Sequence, residues 1–256
     1  MKIYFTIIFF ILGTIMGSFY NVVGFRLAKN ESIIKPGSHC PKCNHKLSFF
    51  ELIPILSYIF LKGKCKNCKE KISIFYPLIE LFTGLLFGVC FYSFGFSYDL
   101  LIGLSLVSLL SIVIVSDVNF YIIPDEINIF FGILIIIINI FKYGFVGSLK
   151  YILYGIIMFL FMYLVMNLGK IIFKEEALGG GDVKLLFVLG LCLPIMSSFF
   201  SLILATLLAF PISLYLLLSK KDKIIPFGPF LVLGTLIIFL MKINPNTIID
   251  YISLLY

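Results

Sequence analysis

Two sets of residues in this chain have types and spacings that could do chemistry. Cys40-Pro41-Lys42-Cys43 and Cys65-Lys66-Asn67-Cys68 are Cys-x-x-Cys knuckles separated by residues 44–64. A doubled knuckle is close to the four-thiolate zinc pattern, with a slightly longer gap than usual. Four thiolates close a tetrahedral Zn²⁺ completely, so the metal would be structural. A thioredoxin-like redox pair usually needs one knuckle in an α/β setting, which is absent here. His39 and His45 flank the first knuckle, either as substitute ligands or as solvated loop residues. Cys90 and Cys192 lie in apolar runs and read as packing.

The second set is carboxylates at the ends of apolar runs. Leu178-Gly179-Gly180-Gly181-Asp182-Val183-Lys184 interrupts a chain that is otherwise almost uniformly apolar. Its glycines suggest backbone that turns tightly or approaches another chain closely. Asp182 reads either as a helix N-cap or as a functional carboxylate facing a wet cavity. Asp117 ends another apolar run and has no capping role to explain it. Asp125, between Pro124 and a helical run, reads as a cap. Asp117 and Asp182 at one membrane face would make an acid–base pair that shares a proton and activates water. No serine, cysteine or histidine constellation competes with them in the apolar runs.

The elements that must position these groups are membrane helices. The mean hydropathy is +1.13, with 61% hydrophobic and 13% charged residues, which excludes an ordinary soluble domain. Strands through a bilayer would alternate apolar and polar residues, and these runs do not. The expected fold is therefore an all-α polytopic bundle of eight spans, at about 3–25, 76–96, 99–116, 127–141, 150–169, 183–197, 199–219 and 227–243. Residues 3–25 read as a retained span, because no small-residue cleavage site follows.

The net charge of +7 would suit nucleic acid, but the lysines and arginines sit between spans, where they set topology. Half of them lie in residues 26–74, which places that segment in the cytosol. Disulfides are improbable there. Only Lys2, Lys142, Lys150 and Lys242 then fall outside, with Asp117, Asp125 and Asp182 at the cytosolic face. The division is 1–25 as a first span, 26–75 as a cysteine-knuckle insertion and 76–256 as the domain carrying the aspartates.

Several motifs in order resemble those of the type IV prepilin peptidases. Gly17-Ser18-Phe19-Tyr20-Asn21-Val22-Val23 resembles the family's first-span signature, and the knuckles resemble its cytosolic insertion. The stretches 52–58 and 72–80 fit the same insertion, and Pro226-Phe227-Gly228-Pro229 resembles a late family motif. Gly179-Gly180-Gly181-Asp182 fits the G-x-G-D motif shared with presenilin-type proteases.

The resemblance implies a bifunctional enzyme of the bacterial cell membrane. It would remove the basic leader of prepilins or pseudopilins in pilus assembly, competence or type II secretion. It would then methylate the new N-terminus from S-adenosylmethionine. It implies Asp117 and Asp182 as the catalytic pair, with Asp125 excluded. It also implies sensitivity of methyl transfer at Gly63. Glu80 is a candidate cofactor contact or a structural group, and Glu175 and Glu176 are candidates for steering a basic leader. Three other readings stand beside this one. They are a peptidase without methyl transfer, a presenilin-like protease, and an ion or proton transporter using the paired aspartates.

Overall fold

The structure is a computed structural model that describes residues 1–174, 179–218 and 225–242. It is helical because a bilayer offers no partner for backbone N–H and C=O groups, and a helix satisfies them internally. In chain order come α1 (Lys2–Ala28), a 3₁₀ turn (Phe49–Leu52), α2 (Leu56–Phe60), α3 (Phe75–Phe94) and α4 (Tyr98–Phe120). These are followed by α5 (Asp125–Phe173), α6 (Gly180–Gly190), α7 (Ile195–Leu218) and α8 (Gly228–Leu240). Among the described residues, the five long helices α1, α3, α4, α5 and α7 are apolar and long enough to cross a membrane.

Two expected spans lie in one continuous element. Residues 127–141 and 150–169 both fall in α5, which is broken only at Gly144 (φ 73°, ψ 170°). That left-handed backbone has no Cβ to oppose it. The expected span 183–197 divides instead: α6 stops at Gly190 and α7 begins at Ile195. At 1.5 Å per residue, α6 reaches only about half the ~30 Å of a hydrocarbon core.

α4 is the hub of the bundle: 78% of its most apolar window is buried, against 22% for α1 and 28% for α5. It packs against α1, α3, α5 and α8. Apolar attraction does not drive helices together in lipid, so close packing of small residues and side-chain hydrogen bonds must do so. α1 approaches α3 so closely that a Cβ at Gly13 would lie 2.7 Å from the Phe87 Cβ. α6 meets α5 in the same way, with a Cβ at Gly190 falling 2.8 Å from the Gly155 Cα. Buried hydroxyls join the layers, Tyr20 to Ser108 at 2.6 Å and Thr83 to Ser111 at 2.7 Å. Asn139 donates to the Leu191 carbonyl at 2.8 Å and ties α5 to the end of α6.

Candidate active site and metal centre

The carboxyl site is built by three helix ends. α4 stops just past Asp117, where Tyr121 takes a left-handed conformation (φ 56°) and donates its N–H to the Asp117 carbonyl at 2.9 Å. The chain then runs through Ile122, Ile123 and Pro124 into α5. Ile123 is buried between two glycines: a Cβ at Gly181 would lie 3.1 Å from its Cβ, and one at Gly228 would lie 2.7 Å from its Cδ1. Gly181 precedes Asp182 in α6, and Gly228 opens α8 beside Asp117. Ile123 is thus the wedge that brings the starts of α6 and α8 to the end of α4.

Asp117 is 6% exposed, and its Oδ2 accepts the Gly228 N–H at 3.1 Å. This donor belongs to the start of α8, where unsatisfied N–H groups and the helix dipole favour a negative partner. Asp182 stands in the first turn of α6. Its Oδ1 is buried without a hydrogen-bond partner, and the two carboxyls are within electrostatic reach of each other. Gly179, not Asp182, is the α6 N-cap, and Asp182 makes no capping bond. The capping alternative for Asp182 fails on that geometry. The arrangement leaves one carboxylate oriented by a backbone donor and the other free to bind a water or a reacting group.

Asp125 departs from expectation. Pro124 holds the α5 N-cap position with no side-chain cap, and Asp125 instead pairs with Lys184 of α6 at 2.6 Å. An exposed lysine two residues beyond Asp182 competes for the carboxylate, so capping loses. Gly228 and Ile123 escape assignment from sequence. For Gly228 the signal was the Pro226-Phe227-Gly228-Pro229 motif, which marks the position but not its contact with Asp117. Glu175 and Glu176 lie outside the described residues.

The four cysteines come together as the spacing implies. Their sulfurs all lie within 4.8 Å of one another, with Cys40–Cys68 at 3.8 Å and Cys43–Cys65 at 3.9 Å. A tetrahedron with 2.3 Å Zn–S bonds has edges of about 3.8 Å, so the donor set fits zinc. The two knuckles share one backbone design. The Cys40 N–H bonds the His45 carbonyl at 3.0 Å, and the Cys65 N–H bonds the Glu70 carbonyl at 2.9 Å. Asn44 and Lys69, each four residues after its cysteine, take positive φ and return an N–H to that cysteine's carbonyl.

Bridges His39–Lys46 and Lys64–Lys71 close the two turns at equivalent positions. The N–H groups of Cys43 and Lys42 hold the Cys40 thiol down to about 6, and that of His45 lowers Cys43. Thiolate is the form a metal binds. The histidines are not ligands: His39 contacts the Gly37 carbonyl and His45 contacts Glu51.

Gly63 lies within the insertion, and Glu80 at its seam with the bundle. Gly63 has φ +66°, and a Cβ there would meet the Tyr58 hydroxyl at 2.9 Å. Glu80 is buried in α3, and its Oε2 accepts the Ile55 N–H at 2.8 Å. Ile55 needs such an anchor, because a β-branched residue at φ 61° is strained.

Fold and site define a helical, multi-pass membrane protein with a carboxyl pair at one corner and a four-thiol cluster in its main polar insertion. Residues 11–94 match the Bacterial Peptidase A24 N-terminal domain, and residues 104–214 match the Type IV leader peptidase family. A relative from Bacillus subtilis (strain 168) is 37% identical over 243 residues, spanning 91% of this chain and 93% of its own. One from Neisseria gonorrhoeae is 33% identical over 253 residues, spanning 90% and 88%. One from Myxococcus xanthus (strain DK1622) is 39% identical over 186 residues, spanning 73% and 55%. All three are named prepilin leader peptidase/N-methyltransferase. No solved structure matches this chain. The chain belongs to the type IV leader peptidase family.

Proposed function

We infer that this chain is a membrane aspartic endopeptidase that removes the leader of type IV prepilins or pseudopilins and then N-methylates the new terminus from S-adenosylmethionine. The observation that carries the peptidase reading is the buried corner where Ile123 brings together the starts of α6 and α8 beside Asp117. Asp117 and Asp182 share one proton. The ionised member takes a proton from water as it attacks the scissile carbonyl. The protonated member then gives its proton to the departing nitrogen. The Gly228 N–H orients Asp117 through both steps.

The four cysteines hold one structural zinc, which supplies no open position for chemistry. Gly63 and Glu80 stand as candidate contacts for the methyl donor, Gly63 beside Tyr58 and Glu80 bonded through Oε2 to the Ile55 N–H. In the arrangement proposed, α5 counts as two spans broken at Gly144, and eight membrane segments result. Residues 26–75 and the aspartates face the cytosol, by the lysine and arginine bias. Residues 1–25 form the first span and 76–256 the peptidase domain. Substrate and lipid bilayer are the partners; nucleic acid is not.

Glu175 and Glu176 steer the basic leader toward Asp182. Changing both to Gln raises KM for a basic-leader prepilin at low salt, leaves kcat unchanged, and the defect shrinks as salt screens the charges. Equal KM at low salt removes that role. The overall function is tested by incubating purified protein with a prepilin and labelled S-adenosylmethionine, then sequencing the product. A cleaved, labelled N-terminus is expected. Cleavage without label limits the chain to peptidase, and neither event overturns the reading.

A further inference from the structure

A groove of about 540 Å³ runs between α6 and the two halves of α5, walled by Ile133, Ile136, Phe159 and Phe187. Its mouth is polar: Asp125 and Lys184 pair there, with side chains 57% and 51% exposed. One turn further along α5, Asn128 lines the groove. It is 6% exposed, and neither its amide oxygen nor its amide nitrogen has a partner. Asn21 and Asn139 are also buried, but each donates its nitrogen to a backbone carbonyl. Asn128 is thus, among the described residues, the buried amide with both ends unpaired. Leaving both unpaired in an apolar wall is costly, and packing alone would favour leucine.

Helical spacing sets Lys184, Phe187 and Val188 on the side of α6 away from Asp182. An occupant of the groove therefore reaches Asp182 by crossing the start of α6. Gly179 and Gly180 are exposed there, and a Cβ built at Gly180 would meet nothing. Among the described residues, the glycine run leaves that crossing clear. An extended chain covers the ~10 Å width of a helix in about three residues. Ile129 and Ile133, 62% and 56% exposed, border the groove on its open side.

A lipid acyl chain would satisfy the apolar walls but offers nothing to Asn128. One peptide unit offers an N–H and a C=O, the complement of a side-chain amide. A membrane-embedded chain unwound for cutting carries such unpaired peptide units. We propose that this groove seats the apolar segment following the scissile bond, and that Asn128 hydrogen-bonds one peptide unit of it about three residues from the cut. This rests on the function proposed above.

The test uses full-length protein in lipid nanodiscs. Asn128→Leu raises the melting temperature, because an unpaired amide is removed, and raises KM for prepilin roughly tenfold with kcat within twofold. Prepilins carrying one ester in place of an amide, scanned over the residues after the cut, identify the paired unit. At that position the ester raises KM for the parent and has no further effect on Asn128→Leu. Unchanged KM, a lowered melting temperature, or an ester cost equal in both proteins overturns the proposal. A photo-crosslinker at Ile133 captures the apolar segment of the substrate. Capture of phospholipid alone makes the groove a lipid seat and also overturns it. If Asp182→Asn still cleaves, the aspartic reading itself fails. If it does not, and Asn128→Leu has parental KM, only this inference falls.

Discussion

The carboxyl corner and the cysteine cluster both gather like groups from distant parts of the chain, but by opposite means. The knuckles are local: each fixes its own cysteine pair with the same backbone bonds, and only the meeting of the two knuckles is long-range. Four thiols that close could be held together by one shared metal, in which case folding and metal binding would be one event. The aspartates have no local device of that kind. They are placed by α4, α6 and α8, closed on Ile123 so tightly that a methyl group at Gly181 or Gly228 would press on it. With a metal bound, one site would depend on its ligand for its shape, whereas the other has its shape from packing.

The sharpest test of that contrast acts at the carboxyls. Asp117→Asn or Asp182→Asn lowers prepilin cleavage roughly a hundred- to ten-thousand-fold while the protein keeps its parental melting temperature within a few degrees. Asp125→Asn, which loses only an exposed pairing with Lys184, changes cleavage little. Kinetics with purified variants decides the matter. A dead Asp125→Asn beside an active Asp117→Asn would invert the pairing.

Next in size is Gly228→Ala, a change that leaves both carboxyls in place but crowds one of them. The new Cβ would fall 2.7 Å from Ile123 Cδ1 and 3.0 Å from both Asp117 Oδ2 and Val113 Cγ1. Helix α8 or the side chains of Ile123, Asp117 and Val113 must give way, at about 1–3 kcal/mol of stability. The contact between Asp117 and its donor shifts with them, so kcat falls by up to about a hundredfold. Parental turnover in this variant would mean that the corner tolerates displacement and that packing does not set its shape.

These tests also mark what the sequence could show. The aspartates and the cysteines were legible because a lone carboxylate at the end of an apolar run, or a doubled knuckle, is conspicuous against this background. The helical class followed from hydropathy. Ile123 was not legible, because one isoleucine among so many carries no sign that two glycines will close on it. Asp125 misled because a proline–aspartate pair before a helix is the usual capping signal, while its partner Lys184 is 59 residues away. Gly144 breaks α5 through a left-handed backbone and Gly190 stops α6 where it meets Gly155, and a hydropathy profile passes over both.

At the metal centre, Cys65→Ser removes one of four ligands, and the insertion loosens as zinc is lost. Parent protein should carry about one zinc per chain and the variant much less. Methyl transfer is lost, while cleavage persists at a reduced level, because α4, α6 and α8 do not need the metal to meet. Metal analysis, limited proteolysis of residues 29–74 and the two activity assays read this out. A metal-free parent with a protease-resistant insertion would erase the distinction between the two regions.

The smallest effect separates local from metal-driven order within the insertion. Ser48 and Glu51 form a capping box, with the Ser48 N–H and hydroxyl both donating to Glu51 Oε2, at 2.9 and 2.7 Å. These donors, with His45 adding to them, pull Glu51 down to about 2 from its ordinary 4.5. A depressed carboxyl contributes stability that is complete above the ordinary value and drains away as pH falls toward the folded one. The turn should therefore be fully held at pH 6 and loosen between about 4.5 and 2. Acid also releases zinc, so lowering pH alone cannot separate the two causes. Glu51→Ala measured at pH 6 does, because it removes the acceptor without protonating the thiolates. Amide exchange at residues 48–52 should quicken about fivefold in the variant, the usual worth of one cap, with zinc content unchanged. Equal protection in parent and variant would mean that the metal orders this turn as well, leaving the knuckles as the insertion's sole source of structure.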